Sequence, residues 1–334
     1  MLDNSRKRES TQLEQSAETA AYAVDPQAST PHIPLGSGAQ EYVERRDSAG
    51  KEIAKWIRSG RSPLLVGGPA GAGKSTVLAR TTHLLRTDDI AGLVQLDRLE
   101  HMRHLTPEQM CARLVGTIFV IAIETECLTA AQVLICVILA ERHKPGPPLS
   151  VNDIINALHI IHSGPQQRRT VLLIDGLEKV PQGDTGLALF DTLGSIHEAV
   201  DLAVTIPRHM AFGPLAETAI SHGEHYVAAR AFDVEYQDER KLLFEMLQQR
   251  LRWSDDEFGF CETAALTGSS QNGVENRATW TRRFIDDASR LSGSIPRVFL
   301  QILADAGSYA SFRRSDSWPD VDDFNDACSN QIER

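Results

Sequence analysis

Apolar and polar positions along the chain fall into two kinds of stretch. Short, nearly unbroken apolar runs bounded by turn formers predict buried strands: SPLLVG (62–67), GLVQLD (92–97), TVLLID (170–175), DLAVTIP (201–207) and HYVAA (225–229). Between them apolar residues return every three or four positions, the helical period. This holds for EYVERRDSAGKEIAKWIRSG (41–60) with Ile53, Trp56 and Ile57, for VLARTTHLLR (77–86), and for a segment near 184–199. Residues 98–169 predict a long, mainly helical insertion, broken at KPGPP (144–148) and SGPQQ (163–167). Strands alternating with helices predict a parallel sheet covered on both faces. Beyond residue 232 the strands stop, and helices are predicted at 236–251, 280–291, 296–306 and 320–332. The expected organisation is an α/β core over 41–231 followed by an all-helical domain over 232–334. Residues 1–40, rich in Ser, Thr, Gln, Ala and Pro, predict a flexible tail.

Composition narrows the classes. With 334 residues, 42% hydrophobic and 24% charged, the chain has ample apolar content for a core, which excludes a disulfide miniprotein or a disordered chain. The formal net charge of −11 disfavours general coating of nucleic acid. The arginine pairs Arg168-Arg169, Arg282-Arg283 and Arg313-Arg314 are isolated and read as solvated surface. The five cysteines, Cys111, Cys127, Cys136, Cys261 and Cys328, form no CxxC pair and read as free, mostly buried thiols. The greasiest runs, 114–123 and 133–140, fall well short of the ~20 residues that span a bilayer. The first fifteen residues lack an apolar signal region. The expectation is a cytoplasmic protein without a membrane partner.

One segment carries specific chemistry. Gly68-Pro69-Ala70-Gly71-Ala72-Gly73-Lys74-Ser75, followed by Thr76, fits G-x-x-x-x-G-K-[ST] at every position. A chain this long meets that pattern by chance roughly once in a hundred. It lies between a predicted strand and a predicted helix, where such a loop works. A nucleoside triphosphate is a dense anion. Glycines let successive backbone N–H groups turn inward, and the following helix adds its positive end. Lys74 is placed to meet the β- and γ-phosphates, and the Ser75 hydroxyl to ligate Mg²⁺. The strand 170–175 ends in Asp175, and a buried parallel strand delivers such a carboxylate to the edge where ligands bind, as a second magnesium ligand.

These residues resemble the P-loop ATPases of the AAA+ and STAND (NACHT-like) superfamily. Asp175-Gly176-Leu177-Glu178-Lys179 is similar to the D-G-hydrophobic-D-E box of STAND proteins, with Glu178 then Lys179 at its two final, usually acidic, positions. Glu178 is thereby the candidate for orienting the attacking water. AVTIPRH (203–209) resembles the sensor 1 strand, with Thr205 and Arg208 at the matching positions. LSGSIPRVFLQIL (291–303) resembles both the G-x-P lid motif and the sensor 2 helix start, which assigns Arg297 to the nucleotide across a cleft and Pro296 to the adenine side. EYVERRD (41–47) resembles the leading motif that packs near adenine, with Glu44 at its usual glycine. Tyr42, Val43 and Arg45 are the residues carried over.

The resemblance covers about residues 41–334. It implies five parallel strands in order 5-1-4-3-2 with a helical lid, bound ATP or ADP with Mg²⁺, and ATP hydrolysis. No guanine-reading N/T-K-x-D motif stands on a predicted strand–loop, which favours ATP. Three functions stay open: a nucleotide-driven switch or assembly factor acting on a separate protein or as a nucleotide-dependent homo-oligomer; a nucleic-acid-associated ATPase of the replication-loader or transposition type; and a nucleotide-binding scaffold with little turnover.

Overall fold

The computed structural model describes residues 48–96, 104–125, 150–162, 168–180, 183–206 except 198, 225–230, 285–314 except 294, and 321–333, with a few isolated positions between them. Five strands form one parallel sheet: β1 (Leu64–Gly67), β2 (Ile90–Gln95), β3 (Thr170–Asp175), β4 (Asp201–Thr205) and β5 (His225–Ala228). Their spatial order is β2-β3-β4-β1-β5, the expected order read from the other edge. The apolar runs are explained by burial: every residue of β1 and β3 is buried, as a strand covered on both faces requires.

Helices cover both faces. α1 (Ala49–Arg58) and α2 (Lys74–Leu85) pack on one, where Ile53, Ile57, Leu78 and Leu85 meet Leu64, Val66 and Leu173. α3 (Pro107–Glu124), α4 (Val151–His162) and α5 (Asp184–Ile196) pack on the other, burying Leu114, Ile118, Leu158 and Leu189 against Leu172, Ile174, Leu202 and Val204. α3 opens with a reciprocal capping box, in which the Thr106 hydroxyl accepts from the Gln109 N–H and the Gln109 side chain accepts from the Thr106 N–H.

The C-terminal region is helical: α6 (Ile285–Leu291), α7 (Pro296–Arg314) and α8 (Val321–Glu333) share a separate apolar cluster. Phe299, Ile302, Leu303, Phe324 and Cys328 build it, with Leu243 and Leu247 from the 236–251 segment. α7 runs eight residues beyond its predicted end, because Arg313 ties its last turn to Asp323 and Asp326 of α8.

Of the arginine pairs 168-169 and 313-314, expected as solvated surface, Arg313 is exposed as expected, while Arg168 and Arg169 are half-buried and engaged in contacts within the chain. Arg169 grips both carboxylate oxygens of Asp89 at 3.2 Å, donates to the Ile57 carbonyl at 2.8 Å, and lies 3.3 Å from Asp201. Arg168 donates to the carbonyls of Arg86, Asp88 and Asp89. Together they lock the amino ends of β2, β3 and β4. Arg282 and Arg283 lie outside the described residues. Cys111 and Cys328 are free and buried, and burial pushes both thiols up to about 11. The other three cysteines lie outside the described residues.

Candidate phosphate-binding site

The carboxyl edge of the sheet gathers the predicted chemistry. β1 is held on both sides to its end, where Ile206 N–H donates to the Val66 carbonyl at 3.0 Å and Ala229 N–H donates to the Gly67 carbonyl at 2.8 Å. The chain then turns through Gly68–Gly73 into α2. Two glycines are required by close approach. A Cβ on Gly68, whose φ is +146°, would stand 2.4 Å from the Ala229 carbonyl oxygen. Gly71, at φ +81°, would place a Cβ 2.8 Å from the Arg297 Cβ and 2.9 Å from the Ile295 Cγ2.

Lys74 is the first residue of α2 and is only 7% exposed. Its ammonium donates to the carbonyls of Gly68 and Pro69 at 3.2 Å each, and lies 3.8 Å from the Glu178 carboxylate. A buried ammonium in a loop at a helix N-terminus is an anion-binding arrangement. Ser75 and Thr76 follow on α2, half-buried.

Asp175 is the last residue of β3 and is buried. Gly176 takes a left-handed φ of 101° and starts a 3-10 turn, Leu177–Lys179. That turn folds Glu178 back toward the loop while Lys179 stays exposed. Thr205, fully buried at the end of β4, joins these parts. Its hydroxyl accepts the Gly176 N–H at 3.0 Å and donates to Glu178 Oε2 at 2.5 Å. The expected sensor threonine therefore spends its proton on Glu178.

The start of α7 lies on the same edge. Arg297 N–H points at the Gly71 carbonyl at 3.4 Å, and its side chain is exposed beside the loop, with Pro296 half-buried next to it. The structure thus brings Gly68, Lys74, Asp175, Glu178, Thr205 and Arg297 to one edge. Tyr42, Val43, Arg45 and Arg208 lie outside the described residues. Two contributors had no local signal: Ile295, against Gly71, and Tyr226, whose ring lies over Gly67 and would collide with any Cβ there.

The donor set fits magnesium. Mg²⁺ takes hard oxygen ligands and is usually held by one or two carboxylates together with substrate phosphates. Ser75 and Asp175 are such donors, and among the described residues no cluster of three His, Cys, Asp or Glu offers a complete cage.

No family model matches the chain, and no curated protein is significantly similar to it in sequence. Among solved structures, the Aeropyrum pernix Orc1 protein in complex with DNA is similar over 94% of this chain and 69% of its own, with a TM-score of 0.51 at 15% identity. The likeness is one of fold: a five-stranded parallel sheet in the order β2-β3-β4-β1-β5, flanked by helices and followed by helices in the C-terminal region. No helix among the described residues is long and apolar enough to cross a membrane.

Proposed function

We propose that the chain binds Mg-ATP at the carboxyl edge of its sheet and hydrolyses it, using the bound state to set the position of a helical lid spanning 232–334 over a core spanning 41–231. The observation that carries this reading is the buried Lys74 ammonium, held inside a glycine loop at the start of α2 with Glu178 beside it. Lys74 trades its two backbone carbonyls for phosphate oxygens. Gly68–Gly73 and the first turn of α2 give N–H groups to the phosphates, and Ser75 and Asp175 hold Mg²⁺, which neutralises charge on the transferring group. Glu178, steadied by Thr205, orients the attacking water and accepts its proton. Arg297 and Arg208 offset charge developing on the γ-phosphate. Tyr42, Val43 and Pro296 flank the adenine.

The test is calorimetry and phosphate release on the full chain. Lys74→Ala removes charge-assisted contacts worth ~1.5–3 kcal/mol each, so affinity for Mg-ATP falls at least about tenfold. Asp175→Asn weakens the magnesium dependence of binding. Glu178→Gln still binds but turns over slowly. Unchanged Mg-ATP affinity in folded Lys74→Ala removes the site, and wild-type turnover in Glu178→Gln removes that residue as the base. A wild type that binds without turnover leaves the scaffold reading.

A second reading has its own support: the solved structure similar over 94% of this chain is one in complex with DNA. In this reading the ATPase works on duplex DNA rather than on a protein partner or on copies of itself. Weighing against it, Arg168 and Arg169 are half-buried and committed to contacts within the chain, and the exposed Arg313 is paired with Asp323 and Asp326. Fluorescence anisotropy of labelled duplex with an ATP analogue, across a salt series, separates the two, because phosphate contacts weaken steeply with salt.

A further inference from the structure

We infer that Glu178 is a built-in counter-ion for Lys74 that the terminal phosphate of a triphosphate must displace, so that Glu178 sets how well the protein distinguishes triphosphate from diphosphate. This rests on the nucleotide-binding reading above and adds a determinant of selectivity to it.

The ammonium of Lys74 faces two fixed carbonyls and, at 3.8 Å, the Glu178 carboxylate. The pair is well shielded, with the lysine 7% and the glutamate 19% exposed. Lys74 and Glu178 therefore offset each other's charge. The carboxylate is also tethered. Thr205 has a single hydroxyl proton, and it goes to Glu178 Oε2. The same hydroxyl accepts the buried Gly176 N–H, so it has no freedom to rotate away. Swinging Glu178 outward would leave a buried donor without an acceptor, a costly state.

A diphosphate reaches the loop N–H groups and Lys74 without adding a terminal group. A triphosphate adds a further anionic group to an ammonium that already has its carboxylate. Like charges repel strongly in a half-buried site. Binding the triphosphate must then either push Glu178 off Lys74 or bear the repulsion. Either cost falls on the triphosphate alone. The position of Glu178 three residues after Asp175, on the 3-10 turn, is what creates the pairing.

The test uses the full chain with Mg-ADP and with a non-hydrolysable ATP analogue plus Mg²⁺, by isothermal titration calorimetry. Glu178→Gln keeps the shape and removes the charge. It is expected to bind the analogue about tenfold tighter than wild type while ADP changes less than about threefold. Thr205→Val, which frees the carboxylate, shifts the ratio in the same direction by less, and Thr205→Ser, which keeps the proton, leaves it at the wild-type value. Equal shifts for both nucleotides in Glu178→Gln, or a loss for the analogue, overturn the counter-ion role. Should Glu178→Gln not fold, an unmoved ratio in Thr205→Val does the same. If wild type binds neither nucleotide, the nucleotide-binding reading falls and this inference with it. If wild type binds both and only the ratio stays fixed, the inference falls alone.

Discussion

Asp201 shows how a single residue is set by competing terms. Burial at the start of β4 raises its carboxyl above the usual range, against the opposing pull of Arg169. A carboxyl raised in the folded state binds more protons there than in the unfolded chain. Its contribution is present below the unfolded value and is lost as pH climbs through the folded one. Asp201→Asn removes that dependence. The urea midpoint of the variant, measured relative to wild type, should therefore move in the variant's favour as pH rises through the carboxylate range toward neutrality. A difference that is flat with pH would show that Arg169 balances burial, and one that moves the other way that it outweighs burial. No pattern in DLAVTIP announced this, because Arg169, Asp89 and Asp201 are far apart in sequence and meet only through strand order.

Among the elements, α7 couples the helical region to the loop. Gly71 meets Arg297 in the first turn of α7 and Ile295 just ahead of it, across more than two hundred residues of chain. Gly71→Ala meets both a left-handed φ and two contacts under 3 Å. The expected cost is about 2 kcal/mol, seen as a lower urea midpoint, with weaker binding of both nucleotides. Wild-type stability in that variant would mean that α7 does not rest on the loop in solution. The elements themselves were legible to differing degrees. β3 coincides with TVLLID, since six consecutive buried residues leave no ambiguity. β2 begins at Ile90, two residues before GLVQLD, because Arg169 and Arg168 anchor the Asp88-Asp89 turn directly ahead of it. The glycine loop was readable because its chemistry is contiguous. The Thr205–Glu178 bond joins the end of β4 to the turn that follows β3, so spacing along the chain carried no trace of it.

At the scale of the molecule, the proposed switch predicts a change of shape. Arg297 lies beside the loop on a helix that belongs to a different apolar cluster from the sheet. A side chain that reads the γ-phosphate makes the lid angle depend on that phosphate, and differential contact is what shifts such an equilibrium. A fluorophore pair between the core and residues 296–306 should report a shorter distance with the ATP analogue than with ADP. Arg297→Ala should lose that difference while keeping its ADP affinity. Equal distances in wild type with the two nucleotides would remove the switch. What the sheet does during such a change follows from its other edge. Arg168 and Arg169 bind the roots of β2, β3 and β4 to one another and to the end of α1. Strands clamped at the root do not slide past one another. With β2, β3 and β4 held in register there, the proposed lid movement would hinge at the start of α7, where the Arg297 N–H meets the Gly71 carbonyl, and not within the sheet.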